Sequence, residues 1–354
     1  MPTASVAMAT YNGARFIGAQ LDSILAQSEL PDEIVITDDG STDDTLSILA
    51  AFAARSRVPI RVHANAERLG FAPNFMKAIG LCRSELIFLC DQDDIWAEHK
   101  VARMKAAFDD PQVYLAYHGA LVVTAFNAPL YELYRGDEQR ALLAVEPMHP
   151  WYSSYGLTQV FRAELRNYDE LWSTSLNHVH LEDEPLSHDQ WYYFLAQMFG
   201  SIEFVPESLV RYRQHASNTV GAAQLPVASG AWQRLRRKFR LDPHQDRLKA
   251  KAALRRAEVL NQVALRTEEG RAARCIKVAN CYTSLAARHQ RRHDAYRATS
   301  LSRRAGSLIR MLSEGDYANH PWGMRKSSVL RDLVAGVLGH WAGHQAGRQD
   351  AVLR

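Results

Sequence analysis

The chain has 354 residues, 47% of them apolar and 23% charged, which excludes a disordered or low-complexity protein and leaves room for one large domain with an appendage or for two modest domains. A formal net charge of +3 conceals an asymmetry: Gly230–Arg354 carries 26 Lys and Arg against 10 Asp and Glu, while residues 1–229 carry 16 against 29. The two parts therefore face different partners, or each other.

The N-terminus enters a strand pattern directly, with no charged-then-apolar leader, so no signal peptide is expected. Ser5–Ala9 reads as a short apolar strand that stops at Thr10-Tyr11-Asn12-Gly13, a loop with Asn-Gly turn chemistry. Phe16, Ile17, Gln20, Leu21, Ile24 and Leu25 then share one helical face. Pro31-Asp32 breaks that pattern before a second strand, Glu33–Thr37, which runs into Asp38-Asp39-Gly40-Ser41-Thr42. Ser41 or Thr42 is expected to cap a helix whose apolar face is Leu46, Leu49, Ala50 and Ala53. A third strand at Ile60–Val62, a helix over Pro73–Leu81 and a fourth strand at Leu86–Cys90 follow. Alternating strands and helices are the grammar of an open parallel α/β sheet.

Leu86–Cys90 is five apolar residues in a row, as expected of a strand buried on both faces. Asp91, Asp93 and Asp94 arrive together where it ends. Crowded carboxylates repel one another, and a hard divalent cation with oxygen ligands offsets them; a solvated acidic turn is the other reading of the same residues. In such sheets ligands sit beyond the carboxyl ends of the strands, and Thr10–Asn12, Asp38–Asp39 and Asp91–Asp94 all fall on that rim. No GxGxxG follows the first strand and no Walker loop occurs, which disfavours a dinucleotide or P-loop site.

The Val6–Gly13 segment, the Asp38–Asp43 turn and Cys90-Asp91-Gln92-Asp93-Asp94-Ile95-Trp96 together resemble glycosyltransferase family 2, in particular its bacterial rhamnosyltransferase-like members. The resemblance implies a GT-A fold, a nucleotide-diphosphate sugar donor, a divalent metal (Mg²⁺ or Mn²⁺) and inversion at the anomeric carbon. On that likeness Asp39, with Asp38 beside it, is expected at the donor's base or ribose, and Asp93 at the metal, with Asp91 acting directly or through water. Thr10, Tyr11 and Asn12 are expected near the nucleotide, though helix-entry chemistry also explains Thr10 and Asn12; Arg68 is expected near nucleotide or diphosphate, or as a plain surface arginine.

Further along, Tyr155–Phe161, with Gly156, resembles the loop and strand lining the donor and acceptor pocket. Ser187-His188-Asp189-Gln190-Trp191 resembles the motif of the catalytic base, which makes Asp189 the candidate general base, with His188 tuning it or meeting phosphate and Trp191 beside it. Glu182 and Asp183, in Leu181-Glu182-Asp183-Glu184, are the rival acidic pair. Leu209–Gly221 resembles the family's closing segment: His215 is the expected third metal ligand, and Arg211 and Arg213 are placed to neutralise phosphate.

From about Gly230 strands disappear, and Arg247–Arg266, Arg271–Arg288 and His293–Leu312 read as three helices packed as hairpins. Trp232, Leu235, Phe239 and Leu241 interleave with five basic residues, as expected of a segment on an anionic membrane surface; docking on the acidic half of the chain explains the same charge. No recognised nucleic-acid motif accompanies the basic surplus. Val329–Trp341 is apolar but too short and too interrupted to span a bilayer, and reads as a dimerisation or membrane-contact helix. The four cysteines show neither CxxC nor zinc-finger spacing, so free thiols in a reducing compartment are expected.

Taken together, the sequence predicts a GT-A catalytic domain over residues 1–229, with a donor half to about 110 and an acceptor half from 111, then a basic all-helical region over 230–354. The expected reaction is inverting transfer, with rhamnose from dTDP-rhamnose as first candidate, to a glycan or lipid-linked glycan in bacterial surface polysaccharide synthesis, at the cytoplasmic face of the membrane. Competing readings are a sugar nucleotidyltransferase, which needs a basic Gly-rich loop that Thr10–Gly13 does not supply, and a non-catalytic nucleotide-sugar-binding protein.

Overall fold

The computed structural model describes residues 2–134, 139, 143, 149–178, 184–216, 243–317, 322–324 and 327–338. The chain divides into two units, one of Met1–Glu170 with Leu186–Ala223 and one of Leu171–Pro185 with Gln224–Arg354.

In the first unit, Ala4–Thr10 (β1), Glu33–Asp38 (β2), Ile60–Ala64 (β3) and Leu86–Cys90 (β4) lie parallel in the order β3-β2-β1-β4. The helices between them are Ile17–Leu25 (α1), Thr45–Arg55 (α2) and Phe71–Leu81 (α3). All five residues of β4 are buried, as are all six of β2, so the unbroken apolar runs are those of strands covered on both faces. Each such side chain contributes about 1.5–3 kcal/mol by leaving water. The order reverses between β1 and β4, and α3, which packs on β1 and β2, precedes that reversal.

Ile95–Trp96 (β5) and Lys100–Ala106 (α4) come next. The sheet then becomes mixed through Val113–Thr124 (β6), Pro129–Glu132 (β7), Gln159–Arg162 (β8) and Ser201–Gln214 (β9), in the order β4-β8-β6-β9-β5 with β7 on β6. Strand direction decides where their ends fall. β8 runs antiparallel to β4, so its start lies at the rim where β4 ends; β6 and β9 run with β4, so β9 ends there too. His188–Phe199 (α5) precedes β9, and every residue from Trp191 to Phe199 is buried, as expected of a helix apolar on all sides.

Asp169 anchors α5 by accepting from Trp191 Nε1 at 3.1 Å and from the Tyr192 hydroxyl at 2.8 Å. Burial pushes its carboxyl up to about 6, against the pull of those two donors. This unit matches the expected mostly parallel α/β sheet flanked by helices.

Three local expectations are corrected. The buried face of α2 is Thr45, Leu49 and Phe52, whereas Leu46 and Ala50 are exposed: Phe52 outweighs the small apolar residues that the spacing had grouped. Neither Ser41 nor Thr42 caps α2, whose N-cap position is Asp44; Ser41 is spent on Asp38 and Thr42 on Asn12. In the second unit the helices are Pro243–Ala264 (α6), Glu269–Arg297 (α7) and Leu301–Ser313 (α8), so the middle one continues past Arg288 through a stretch with no Gly or Pro to stop it.

The second unit also includes Ser327–Arg331 (α9), continued by a π-helical stretch, Asp332–Leu338. Much of its charge is satisfied internally. Asp246 pairs with His289 at 2.8 Å, Arg291 with Asp316 at 2.6 Å and Arg292 with Asp332 at 2.7 Å, and Tyr317 also donates to Asp332 at 2.7 Å. Such partly or fully buried pairs fix register more than they add stability. Among the described residues no helix is long and apolar enough to cross a membrane. The basic-aromatic stretch around Trp232–Leu241 lies outside the described residues.

Because folding raises the Asp169 carboxyl above its ordinary value near 3.8, its protonated form is favoured in the folded chain. Its contribution is therefore fully present below that ordinary value and is lost as pH rises through about 6. Urea unfolding from pH 4 to 7 is expected to show wild-type stability falling relative to Asp169→Asn across that window; parallel profiles would contradict it.

Candidate active site

The rim between β1 and β4 collects backbone turns and carboxylates from seven separate stretches of chain. At the end of β2, Asp38 is fully buried and accepts from Thr10 Oγ1 at 2.7 Å, Ser41 Oγ at 2.6 Å and Ser41 N at 2.8 Å. Asn12 adopts φ +48°, a conformation asparagine tolerates, and bridges the same turns: its N–H donates to Ser41 Oγ and its Oδ1 accepts from Thr42 N. Thr10 and Asp38 thus shape the rim from beneath.

Asp39 is 4% exposed and accepts from Asn65 Nδ2 at 2.9 Å, Leu69 N at 2.7 Å and Gly70 N at 2.8 Å. It thereby pins the turn that leads into α3, where Gly70 takes φ +88°. Arg68 lies over the Tyr11 ring at 3.9 Å and equally far from Asp39 Oδ2, with most of its side chain in solvent. Arg68 and Tyr11 form an exposed cation and aromatic face beside the buried Asp39.

The acidic turn follows β4. Gln92 locks it to the first loop: its Oε1 accepts from Tyr11 N at 2.9 Å, and its Nε2 donates to Tyr11 O at 3.1 Å. Gly13 leaves the room this requires, since a Cβ there would meet Gln92 Oε1 at 2.3 Å. Asp93 is paired with His215 Nε2 at 2.8 Å, and His215 stacks on Phe16 at 4.5 Å. Asp94 is buried and accepts from Arg213 N at 2.8 Å. The Arg213 guanidinium lies over Phe16 at 4.7 Å, while Arg211 is exposed.

Opposite this turn, Asp189 occupies the first turn of α5. Its Oδ1 accepts from Ser187 Oγ at 2.5 Å and from Gln190 N at 2.9 Å, and its Oδ2 from Gly156 N at 3.2 Å. Gly156 lacks a side chain for a reason: a Cβ there would come within 3.2 Å of both Asp189 Cβ and His188 Nε2. His188 stacks on Phe75 at 4.0 Å, and burial holds its imidazole down to about 4, which favours the neutral ring. Trp191 is fully buried and hydrogen-bonded to Asp169, so it supports α5 rather than lining the cleft. Glu182 and Asp183 lie outside the described residues.

The electrostatics bind these pieces together. Burial, then repulsion from Asp93 and from Asp189, pushes the Asp91 carboxyl up to about 8. Burial also raises Asp93, against the pull of His215, and raises Asp94 well above the carboxylate range. Asp91 thus lies within electrostatic reach of both Asp93 and Asp189, and His215 is hydrogen-bonded to Asp93. Among the described residues no three His, Cys, Asp or Glu side chains are grouped as metal ligands, so the expected Asp91, Asp93 and His215 set is not preassembled; Asp93 and His215 are. The donor chemistry nonetheless fits a hard divalent cation, because two carboxylates and an imidazole are competent ligands and the cleft carries carboxyls short of positive charge.

The sequence reading did not single out Gln92, Gly13, Asn74 or Lys100. Asn74 is buried and donates to Thr37 O at 3.0 Å, joining α3 to the end of β2. A signal for Lys100 was present: it shares the apolar helical face of Met104 and Phe108, where a lysine needs a reason to be.

Residues 5–154 match the model of glycosyl transferase family 2. The chain is 27% identical over 220 residues to dTDP-rhamnosyl transferase RfbG of Shigella flexneri, covering 61% of this chain and 74% of that one. It is 26% identical over 216 residues to an uncharacterized protein of Mycobacterium tuberculosis, covering 60% of this chain and 59% of that relative's length. S. aureus TarS 1–349, solved with UDP-GlcNAc, superposes with a TM-score of 0.51 at 17% identity, covering 94% of this chain and 92% of that one, a likeness of fold. Residues 5–154 thus match glycosyltransferase family 2, and the fold is of the GT-A type.

Proposed function

We propose that this protein is a metal-assisted, inverting glycosyltransferase that moves a sugar from a nucleotide-diphosphate donor to a hydroxyl of a glycan or lipid-linked glycan in bacterial surface polysaccharide synthesis. The observation that carries the reading is the convergence at the carboxyl end of β4 of Asp93, hydrogen-bonded to His215 at 2.8 Å, and Asp189, held by the Gly156 N–H at 3.2 Å. The named Shigella relative supports rhamnose, carried on thymidine diphosphate, as the first donor to try.

In this reading the donor half of the first unit holds the nucleotide between the Tyr11 and Arg68 face and the Asp39-pinned turn. Asp91, Asp93 and His215 would hold Mg²⁺ or Mn²⁺. When bound, the cation supplies Lewis-acid stabilisation of charge on the departing diphosphate. Arg211 and Arg213, at the end of β9, add positive potential on the same side.

The acceptor oxygen forms its bond to the anomeric carbon as the bond from that carbon to the diphosphate oxygen breaks. The bonding electron pair leaves with the nucleoside diphosphate, and the hydroxyl proton passes to Asp189. Three hydrogen bonds aim that carboxylate: those from Ser187, Gln190 and the Gly156 N–H. The basic helical unit, with its positive surplus, serves in this reading to bring the enzyme to an anionic membrane surface.

Asp189→Asn is expected to lower turnover by about 10²–10⁴-fold while donor binding survives, measured with labelled dTDP-rhamnose and by calorimetry. Near-normal transfer by that variant would move the base to Glu182 or Asp183. Asp93→Ala is expected to abolish the metal-dependent part of donor binding, and calorimetry showing unchanged affinity in the presence of Mn²⁺ would refute the metal assignment.

A further inference from the structure

Lys100, at the start of α4, is wholly shielded from water. A buried ammonium is costly unless its surroundings need it. Its Nζ donates to Leu157 O at 2.9 Å and lies 3.9 Å from the centre of the Trp96 ring. It also acts electrostatically on Asp91, Asp94 and Cys90, and on the buried His118 of β6. Two atoms in this buried polar group lack a hydrogen-bond partner, Asp94 Oδ2 and His118 Nε2. Lys100 is thus a buried positive charge within electrostatic reach of the acidic turn.

The hydrogen bond to Leu157 gives Lys100 a further role. Leu157 belongs to the Gly156–Thr158 turn, whose first N–H donates to Asp189 Oδ2. One side chain therefore holds the turn that aims the proposed base while its charge reaches the acidic turn after β4.

We propose that Lys100 is a positioning residue for sugar transfer, acting as a fixed countercharge for the acidic turn and as the tether that sets Asp189 against it. The inference rests on the transferase reading. Its two roles predict effects of opposite sign. Without the ammonium, the turn is more negative and attracts a cation more strongly, while the Gly156–Thr158 turn loses its tether.

Lys100→Met is expected to lower kcat about 10- to 100-fold with donor KM changed less than about threefold. In the same variant, affinity for Mn²⁺ alone, measured by calorimetry, is expected to rise about two- to tenfold. Lys100→Arg keeps the charge but not the compact ammonium geometry, so its Mn²⁺ affinity is expected to match wild type while kcat falls. Parallel loss of Mn²⁺ affinity and turnover, or full turnover in Lys100→Met, would overturn the proposal. If near-UV circular dichroism shows the Met variant unfolded, the Arg variant decides: lowered kcat with unchanged Mn²⁺ affinity supports the role, and any other pairing contradicts it. The Mn²⁺ arm needs no turnover, so a wild-type chain that binds Mn²⁺ yet transfers no sugar fails the transferase reading and leaves the countercharge role measurable.

Discussion

Uncompensated negative charge at one point of the sheet is the constraint from which the rest follows. Asp91, Asp93 and Asp94 leave the end of β4 together, in surroundings that raise all three carboxyls, and Asp189 adds a fourth. Such a cluster persists only where positive partners answer it or a ligand does. His215 answers by its hydrogen bond to Asp93, and the buried Lys100 by the pull of its charge on Asp91 and Asp94. Asp91 is raised by burial and by its acidic neighbours with only the Lys100 charge pulling the other way, so a bound divalent cation would relieve it.

Strand direction explains how such distant residues meet. The order β3-β2-β1-β4 reverses beside β1, which opens a crevice at the carboxyl ends. An antiparallel β8 begins at that rim, and a β9 parallel to β6 ends there, delivering Gly156 and His215 to the same place. α5 must then start at the rim in order to return the chain to the beginning of β9, which puts Asp189 in its first turn. No local sequence preference brings these side chains together; topology does.

That division also sets what could be read from the sequence. The first four strands and their helices were legible because each is a local pattern, an apolar run or a helical face bounded by turn residues, and Leu86–Cys90 coincides with β4. The long β6 and most of β9 were not, because their burial comes from partners far away in the chain. Asp93, Asp189 and His215 were reached through likeness to a family. The residues that hold them in place were missed, since Gln92, Asn74 and Lys100 act on backbone groups that only the folded chain brings near. Asp38 and Trp191 show the converse: both stand within the motifs, yet both are buried and spent on internal partners.

The basic second unit deserves the same accounting of charge. Asp246, Asp316 and Asp332 are spent on its own arginines, and since the count of 26 basic against 10 acidic residues already includes them, the surplus rests on the basic residues that remain. The proposed function rests on the first unit, whose acidic rim would hold a cation and a nucleoside diphosphate together, each stabilising the other. Electron paramagnetic resonance of free Mn²⁺, titrated with the protein with and without thymidine diphosphate, tests this directly. The account predicts a single Mn²⁺ bound per chain and a clear gain in its affinity when the nucleotide is present; Mn²⁺ binding that is absent, or indifferent to the nucleotide, would contradict it.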